Sequence, residues 1–212
     1  MSRAAAIKEG YTQEARRLAS QSMASLSRTR VSPNALTAAG VTLCAVAAVL
    51  VYFEYRHDLL YFWLGAAVFV LGSILDILDG ALARTSGKAT PFGAFVDSTT
   101  DRVSEGFMLG AIALVFMRHG DELALGFTFA AVSGSFLVSY TRARAEALGL
   151  RGDVGIGSRA ERVVVITAGL VLAPWGVLPW AIYVLTATAW VTVMQRALHV
   201  RKQLRAAADD SR

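Results

Sequence analysis

The chain has 212 residues, of which 55% are hydrophobic and only 17% charged, with a mean hydropathy of +0.48; one soluble core of this size cannot bury that much apolar surface, so a lipid bilayer is the expected solvent. A net charge of +5 and a pI near 9.7 point to anionic lipid and a cytoplasmic face; nucleic acid would need a basic, aromatic-studded face on a soluble module, and the sequence has none. The single cysteine, Cys44, excludes an internal disulfide framework and a cysteine-ligated zinc site.

In chain order, Arg3, Lys8, Arg16, Arg17, Arg28 and Arg30 leave no unbroken apolar run for a cleavable signal, so residues 2–30 are expected in the mature protein. Ile7, Leu18, Met23 and Leu26 among those charges fit an interfacial amphipathic helix over 1–30, with a cytosolic tail as the alternative. Ser32 and Pro33 then read as an N-cap and a first helical position. About twenty apolar residues cross a bilayer as a helix, and six stretches approach that requirement: 34–54, 59–83, 93–118, 122–147, 159–174 and 177–199. The fifth is the shortest, and Pro174 and Pro179 bracket the turn after it. The predicted fold is an all-α polytopic membrane protein, with six transmembrane helices in residues 31–205 and a cytoplasmic tail at 206–212. An even number of spans puts both termini on one side. That side carries the N-terminal arm with Arg84, Lys88, Arg142, Arg144, Arg151, Arg159, Arg162, Arg196, Arg201, Lys202 and Arg205, against only Arg56 and Arg118 opposite. By the positive-inside rule the termini face the cytoplasm, which predicts a multi-pass cell-membrane protein.

Within this apolar frame, Asp76 and Asp79 end the second stretch, and Asp97, Asp101, Arg102 and Glu105 begin the third. Each charge at the centre of a span costs roughly 2.5–3.5 kcal/mol to insert, so these residues must face a polar cavity. Spacings of three and four put each aspartate pair on one helix face, and the short connection brings the two faces together. Four converging carboxylates need a cation. Oxygen-only ligands favour Mg²⁺, with Mn²⁺ as a close substitute, and two ions can clamp a pyrophosphate while orienting an attacking oxygen. Pairing of the same acids with Arg84 and Arg102 inside a bundle is the purely structural alternative. A six-span cation transporter would instead scatter its acids over several helices, often near broken ones.

The run Asp76-Ile77-Leu78-Asp79-Gly80-Ala81-Leu82-Ala83-Arg84, then eight residues to Gly93, three to Asp97 and three more to Asp101, resembles the signature of the CDP-alcohol phosphotransferases, whose six-span topology also fits. The resemblance implies that Asp76, Asp79, Asp97 and Asp101 bind metal, two ions per subunit. It further implies that Asp101 is the general base, that Gly80 and Arg84 meet the CDP moiety, and that the enzyme is a homodimer. Gly80 and Gly93 lack a Cβ and can admit a nucleotide to the backbone. Ser32-Pro33-Asn34-Ala35-Leu36-Thr37 is similar to another element of that family, which places Asn34, Ala35, Leu36 and Thr37 near the cytidine and diphosphate of a CDP-lipid; Thr90 resembles a further nucleotide position. Read without the family, the first is a helix cap and Thr90 a loop residue.

The stretch from Ser139 to Asp153, with Glu161-Arg162 and Gln195-Arg196, is similar to an actinobacterial branch of the family that uses inositol 1-phosphate as acceptor. On that resemblance Arg142, Arg162 and Arg196 supply cations for an acceptor phosphate. Arg142 stands where a lysine is usual and Ala160 where proline is frequent. Glycerol 3-phosphate is the alternative acceptor, and anchoring of anionic headgroups is the alternative role for each arginine. The substrates implied are CDP-diacylglycerol and a phosphorylated alcohol.

Overall fold

In the computed structural model, which describes residues 32–85 and 90–210, all regular structure is helical. The segment 1–30, read above as an interfacial helix, lies outside the described residues. Helix α1 (Pro33–Tyr52) starts as its sequence predicts: Ser32 Oγ accepts the Ala35 amide at 3.2 Å and Pro33 takes the first turn. A 3₁₀ turn, Phe53–Arg56, leads to α2 (Asp58–Thr85). Thr90 caps α3 (Pro91–His119), which ends on Gly120, at φ 70°. Asp121 caps α4 (Glu122–Ala147) through the Ala124 amide at 2.9 Å. Ser158 and Glu161 form a reciprocal capping box on α5 (Arg159–Val171), and a 3₁₀ turn, Ala173–Trp175, precedes α6 (Leu178–Asp210).

The first four apolar stretches agree with α1 to α4 within a few residues. The fifth helix stops at Val171, where Pro174 helps convert the chain to a 3₁₀ turn. The sixth continues from residue 199 to Asp210, through the start of the predicted tail, because Arg201, Lys202, Gln203, Leu204 and Arg205 are good helix formers although all but Leu204 are polar. Among the described residues four helical stretches are long and apolar enough to cross a membrane: Asn34–Arg56, Asp58–Ala83, Glu122–Ala147 and Leu178–Ala208. Helix α3 has the length but carries acids in its first half, and α5, with 13 residues, rises only about 20 Å against a hydrocarbon core of about 30 Å.

Helix α1 packs on α2 and α3, α4 packs on α6 and α3, and α5 bridges α2 to α6. Their shared core includes Cys44 and Val51, Phe69, Met108 and Ile112, Ile166, and Ile182. Small residues set the α1–α2 distance. A Cβ on Gly72 would lie 2.8 Å from Cys44 Sγ and 2.9 Å from the Gly40 carbonyl oxygen, and one on Gly65 would lie 2.5 Å from Val51 Cγ2. In lipid, where apolar burial drives little, such close approach holds helices together by dispersion. At the end where α1 and α3 finish, buried Glu54 accepts from Arg118 Nη1 at 2.7 Å. The same guanidinium donates to the Tyr52 carbonyl at 2.9 Å and lies over the rings of Tyr52 and Tyr55.

Candidate active site

At the opposite end, α2 presents Asp76 and Asp79, both almost wholly buried, while α3 presents Asp97 and Asp101 one turn apart. Gly40 brings α1 against this part of α2: a Cβ there would stand 3.6 Å from Asp76 Cβ. One carboxylate oxygen from each of Asp76, Asp97 and Asp101 lies within 4.8 Å of the other two. Asp79 stands outside this triad, although its negative charge bears on Asp101. The donor set fits a hard divalent cation. It is all oxygen, it concentrates like charges that repel, and Asp76 Oδ1 is buried without a hydrogen bond, which is costly for a carboxylate unless a cation takes the lone pair.

An arginine missed in the sequence reading enters this cluster. Arg159, the first residue of α5, donates Nη1 to Asp76 Oδ2 and comes within 2.5 Å of Asp101 Oδ1. Eighty-three positions separate Arg159 from Asp76, so no local spacing announces the contact; the legible clue is the Ser158-x-x-Glu161 capping pattern that makes Arg159 the opening residue of a helix. One turn on, Arg162 is 6% exposed and bonds Glu105 twice, Nε to Oε1 at 2.7 Å and Nη2 to Oε2 at 3.0 Å, while Nη1 donates to the Gly157 carbonyl at 3.0 Å. Two arginines three apart on α5 thus meet two acids four apart on α3. Between them lies a cavity of about 10 Å³ bordered also by Ser73 and Ser104, room for one water.

The other predicted acceptor residues sit differently. Arg142 is 57% exposed and pairs with Glu146 at 2.9 Å on its own helix. Arg196 ties three segments together, donating Nε to the Val154 carbonyl at 2.9 Å and Nη1 to that of Val138. The charges of Arg142 and Arg162 both bear on Arg196, so the three cations share one region. A groove of about 1250 Å³ between α3 and α4 runs from Asp97 and Asp101 past Arg102 and Ser139 to Arg142, with Phe95, Phe107 and Phe136 along its apolar wall.

Of the predicted nucleotide residues, Asn34 and Ala35 are exposed at the start of α1, whereas Leu36 and Thr37 are buried, Leu36 against Leu82. Thr90 is the N-cap of α3, its Oγ1 accepting the Gly93 amide at 3.0 Å. Gly80 is half-buried beside Asp79. The side chain of Arg84 lies outside the described part.

Residues 30–195 match the sequence profile of the CDP-alcohol phosphatidyltransferases. The chain is 41% identical over 145 residues to an archaetidylinositol phosphate synthase of Methanothermobacter thermautotrophicus, covering 66% of this chain and 71% of that protein. It is 38% identical over 182 residues to a phosphatidylinositol phosphate synthase of Mycolicibacterium smegmatis, covering 82% and 79%. The crystal structure of Mycobacterium tuberculosis phosphatidylinositol phosphate synthase with CDP-DAG bound superposes with a TM-score of 0.76 at 30% identity, over 87% of this chain and 94% of that one. The same enzyme in complex with manganese and citrate also gives 0.76.

Proposed function

Because the chain belongs to the CDP-alcohol phosphatidyltransferase family, we propose that it moves the phosphatidyl group of CDP-diacylglycerol onto a hydroxyl of inositol 1-phosphate, releasing CMP. The observation that carries this reading is the Asp76–Asp97–Asp101 triad, one oxygen of each within 4.8 Å of the others, two of whose members, Asp97 and Asp101, line a groove that has a polar end and an apolar wall. The names of the relatives support the donor and the phosphorylated acceptor.

Asp76, Asp97 and Asp101, with Asp79 beside them, would hold Mg²⁺ or Mn²⁺, two ions per subunit; bound there, the metal supplies positive charge to the pyrophosphate and its leaving oxygen. Asp101 takes the proton of the attacking hydroxyl as the new P–O bond forms, and the bond to CMP breaks with its electron pair leaving on CMP. Asn34 to Thr37, Gly80, Arg84 and Thr90 are assigned to the cytidine diphosphate. The acceptor phosphate is assigned to Arg142, Arg162 and Arg196. Within that set Arg142 is the fork best able to turn toward a ligand, since it is exposed and held only by Glu146, and Arg162 acts chiefly as fixed charge because Glu105 and Gly157 hold its fork.

All six helices are read as crossing the membrane, α3 and α5 shielded by the other four, with the site and both termini cytoplasmic, residues 1–30 on the membrane surface, and the enzyme a homodimer. An acceptor screen tests the function. Purified protein with CDP-diacylglycerol and Mg²⁺ should release CMP with inositol 1-phosphate, and not with glycerol 3-phosphate, serine or free inositol. Release with glycerol 3-phosphate instead would reassign the acceptor, and no release with any of them in Mg²⁺ or Mn²⁺ would overturn the transferase reading.

A further inference from the structure

Among the described residues two arginines touch the acidic triad, and they differ in what they join. Arg102 approaches only its neighbour Asp101, at 3.7 Å, and donates to the Ser98 carbonyl on its own helix. Arg159 comes from α5 and contacts Asp76 on α2 and Asp101 on α3 through the same nitrogen. Its Nη1 therefore lies against two of the three carboxylates whose oxygens define the cation position.

We propose that Arg159 is a built-in counter-cation, which joins the two halves of the metal site when no ion is bound, competes with the ion for Asp76 and Asp101, and is released as the ion binds. This rests on the reading of the triad as a metal centre. Without a cation the aspartates on α2 and α3 repel one another, which works against the approach of the helices they sit on. A guanidinium brings one positive charge in a planar fork. It leaves Asp76 Oδ1 buried and without a hydrogen bond, so it satisfies the cluster only in part. A divalent ion brings twice the charge and takes oxygen ligands from several directions at once, which makes displacement of the arginine favourable while leaving it as a competitor.

The surroundings allow the exchange. Arg162 anchors the first turn of α5 to Glu105 by two hydrogen bonds, so the helix stays docked when Arg159 lets go. The arginine side chain swings on its own flexible stem, and it is not sealed in, being 27% exposed. Once free, its fork stands beside the ion, placed to meet an anion that the ion holds.

The test uses full-length protein stripped of metal in detergent, with Mn²⁺ titrated and free Mn²⁺ followed by its paramagnetic resonance signal. Arg159→Gln should bind Mn²⁺ about tenfold tighter or more, the loss of a competing charge-assisted bond, and Arg159→Lys should tighten binding by a smaller factor because a point charge replaces the fork. The thermal midpoint of Arg159→Gln should fall in EDTA but match the unsubstituted protein in saturating Mn²⁺. Unchanged or weaker Mn²⁺ binding, or an equal loss of midpoint in both conditions, would show a fixed ion pair and overturn the proposal. If the glutamine variant does not fold, the lysine variant decides alone, and affinity equal to that of the unsubstituted protein overturns it. Absence of any Mn²⁺ site weakened by Asp76→Asn would instead remove the metal centre itself.

Discussion

Asp101 is asked to do two things at once: it faces Asp97 and Asp76 as part of the proposed cation site, and it is assigned the proton of the attacking hydroxyl. Asp101→Asn keeps the shape and one ligand oxygen but loses the basic site. It should retain CDP-diacylglycerol binding while CMP release falls by about a hundred-fold or more, the usual range for loss of a positioned base. Parallel measurement of donor binding and turnover checks this, and near-normal turnover would move the base elsewhere. Glu105 and Arg162 show why burial has to be weighed before a substitution is interpreted. Removing one partner of a buried pair strands the other at a cost of about 3–5 kcal/mol, so loss of activity in Arg162→Ala would not separate acceptor binding from collapse of the α3–α5 contact. Arg142, exposed and paired only along its own helix, is the cleaner probe of the acceptor phosphate.

Helices α1 and α2 approach so closely because Gly40, Gly65 and Gly72 present no side chains at the contact. Gly72 precedes Asp76 by one turn, so this contact also fixes where the first carboxylate stands. Gly72→Val would drive atoms into the Gly40 carbonyl and Cys44, and backbone cannot yield as a side-chain tip can. Overpacking of this kind costs about 1–3 kcal/mol; the variant should unfold at lower temperature and lose transferase activity as Asp76 moves away from Asp97 and Asp101. Gly110→Ala is the control, since nothing lies within 4 Å of its added Cβ, and its melting temperature and activity should stay at or slightly above the original values. A fluorescence melt of each, alongside turnover, distinguishes the two outcomes.

The molecule is polar at both ends for different reasons. One end gathers the aspartates and the basic residues of α4 to α6, the other the Glu54–Arg118 contact with Trp63, Trp175 and Trp180, exposed aromatics of the kind that settle at a membrane interface. Cys44 is buried and free, so a Cys44→Ala background suits labelling. A membrane-impermeant maleimide added to intact cells should modify Tyr55→Cys, and should modify Lys202→Cys only after permeabilisation; the reverse pattern would invert the assigned orientation. Helix positions were legible in the chain because hydropathy and caps such as Ser32-Pro33 act over a few residues, and the spacing of Asp76 with Asp79 and Asp97 with Asp101 shows which helix face each pair shares. That same locality hides other features. Whether the last helix stops at 199 or reaches Asp210 depends on helix propensity that hydropathy does not read. Nor does spacing say which three of the four aspartates draw tight, because that follows from the distance between α2 and α3. Arg159 meets Asp76 across 83 positions and Arg162 meets Glu105 across 57, and such partners are chosen by how closely α5 docks on α2 and α3, a distance that packing sets and that no periodicity along the chain contains.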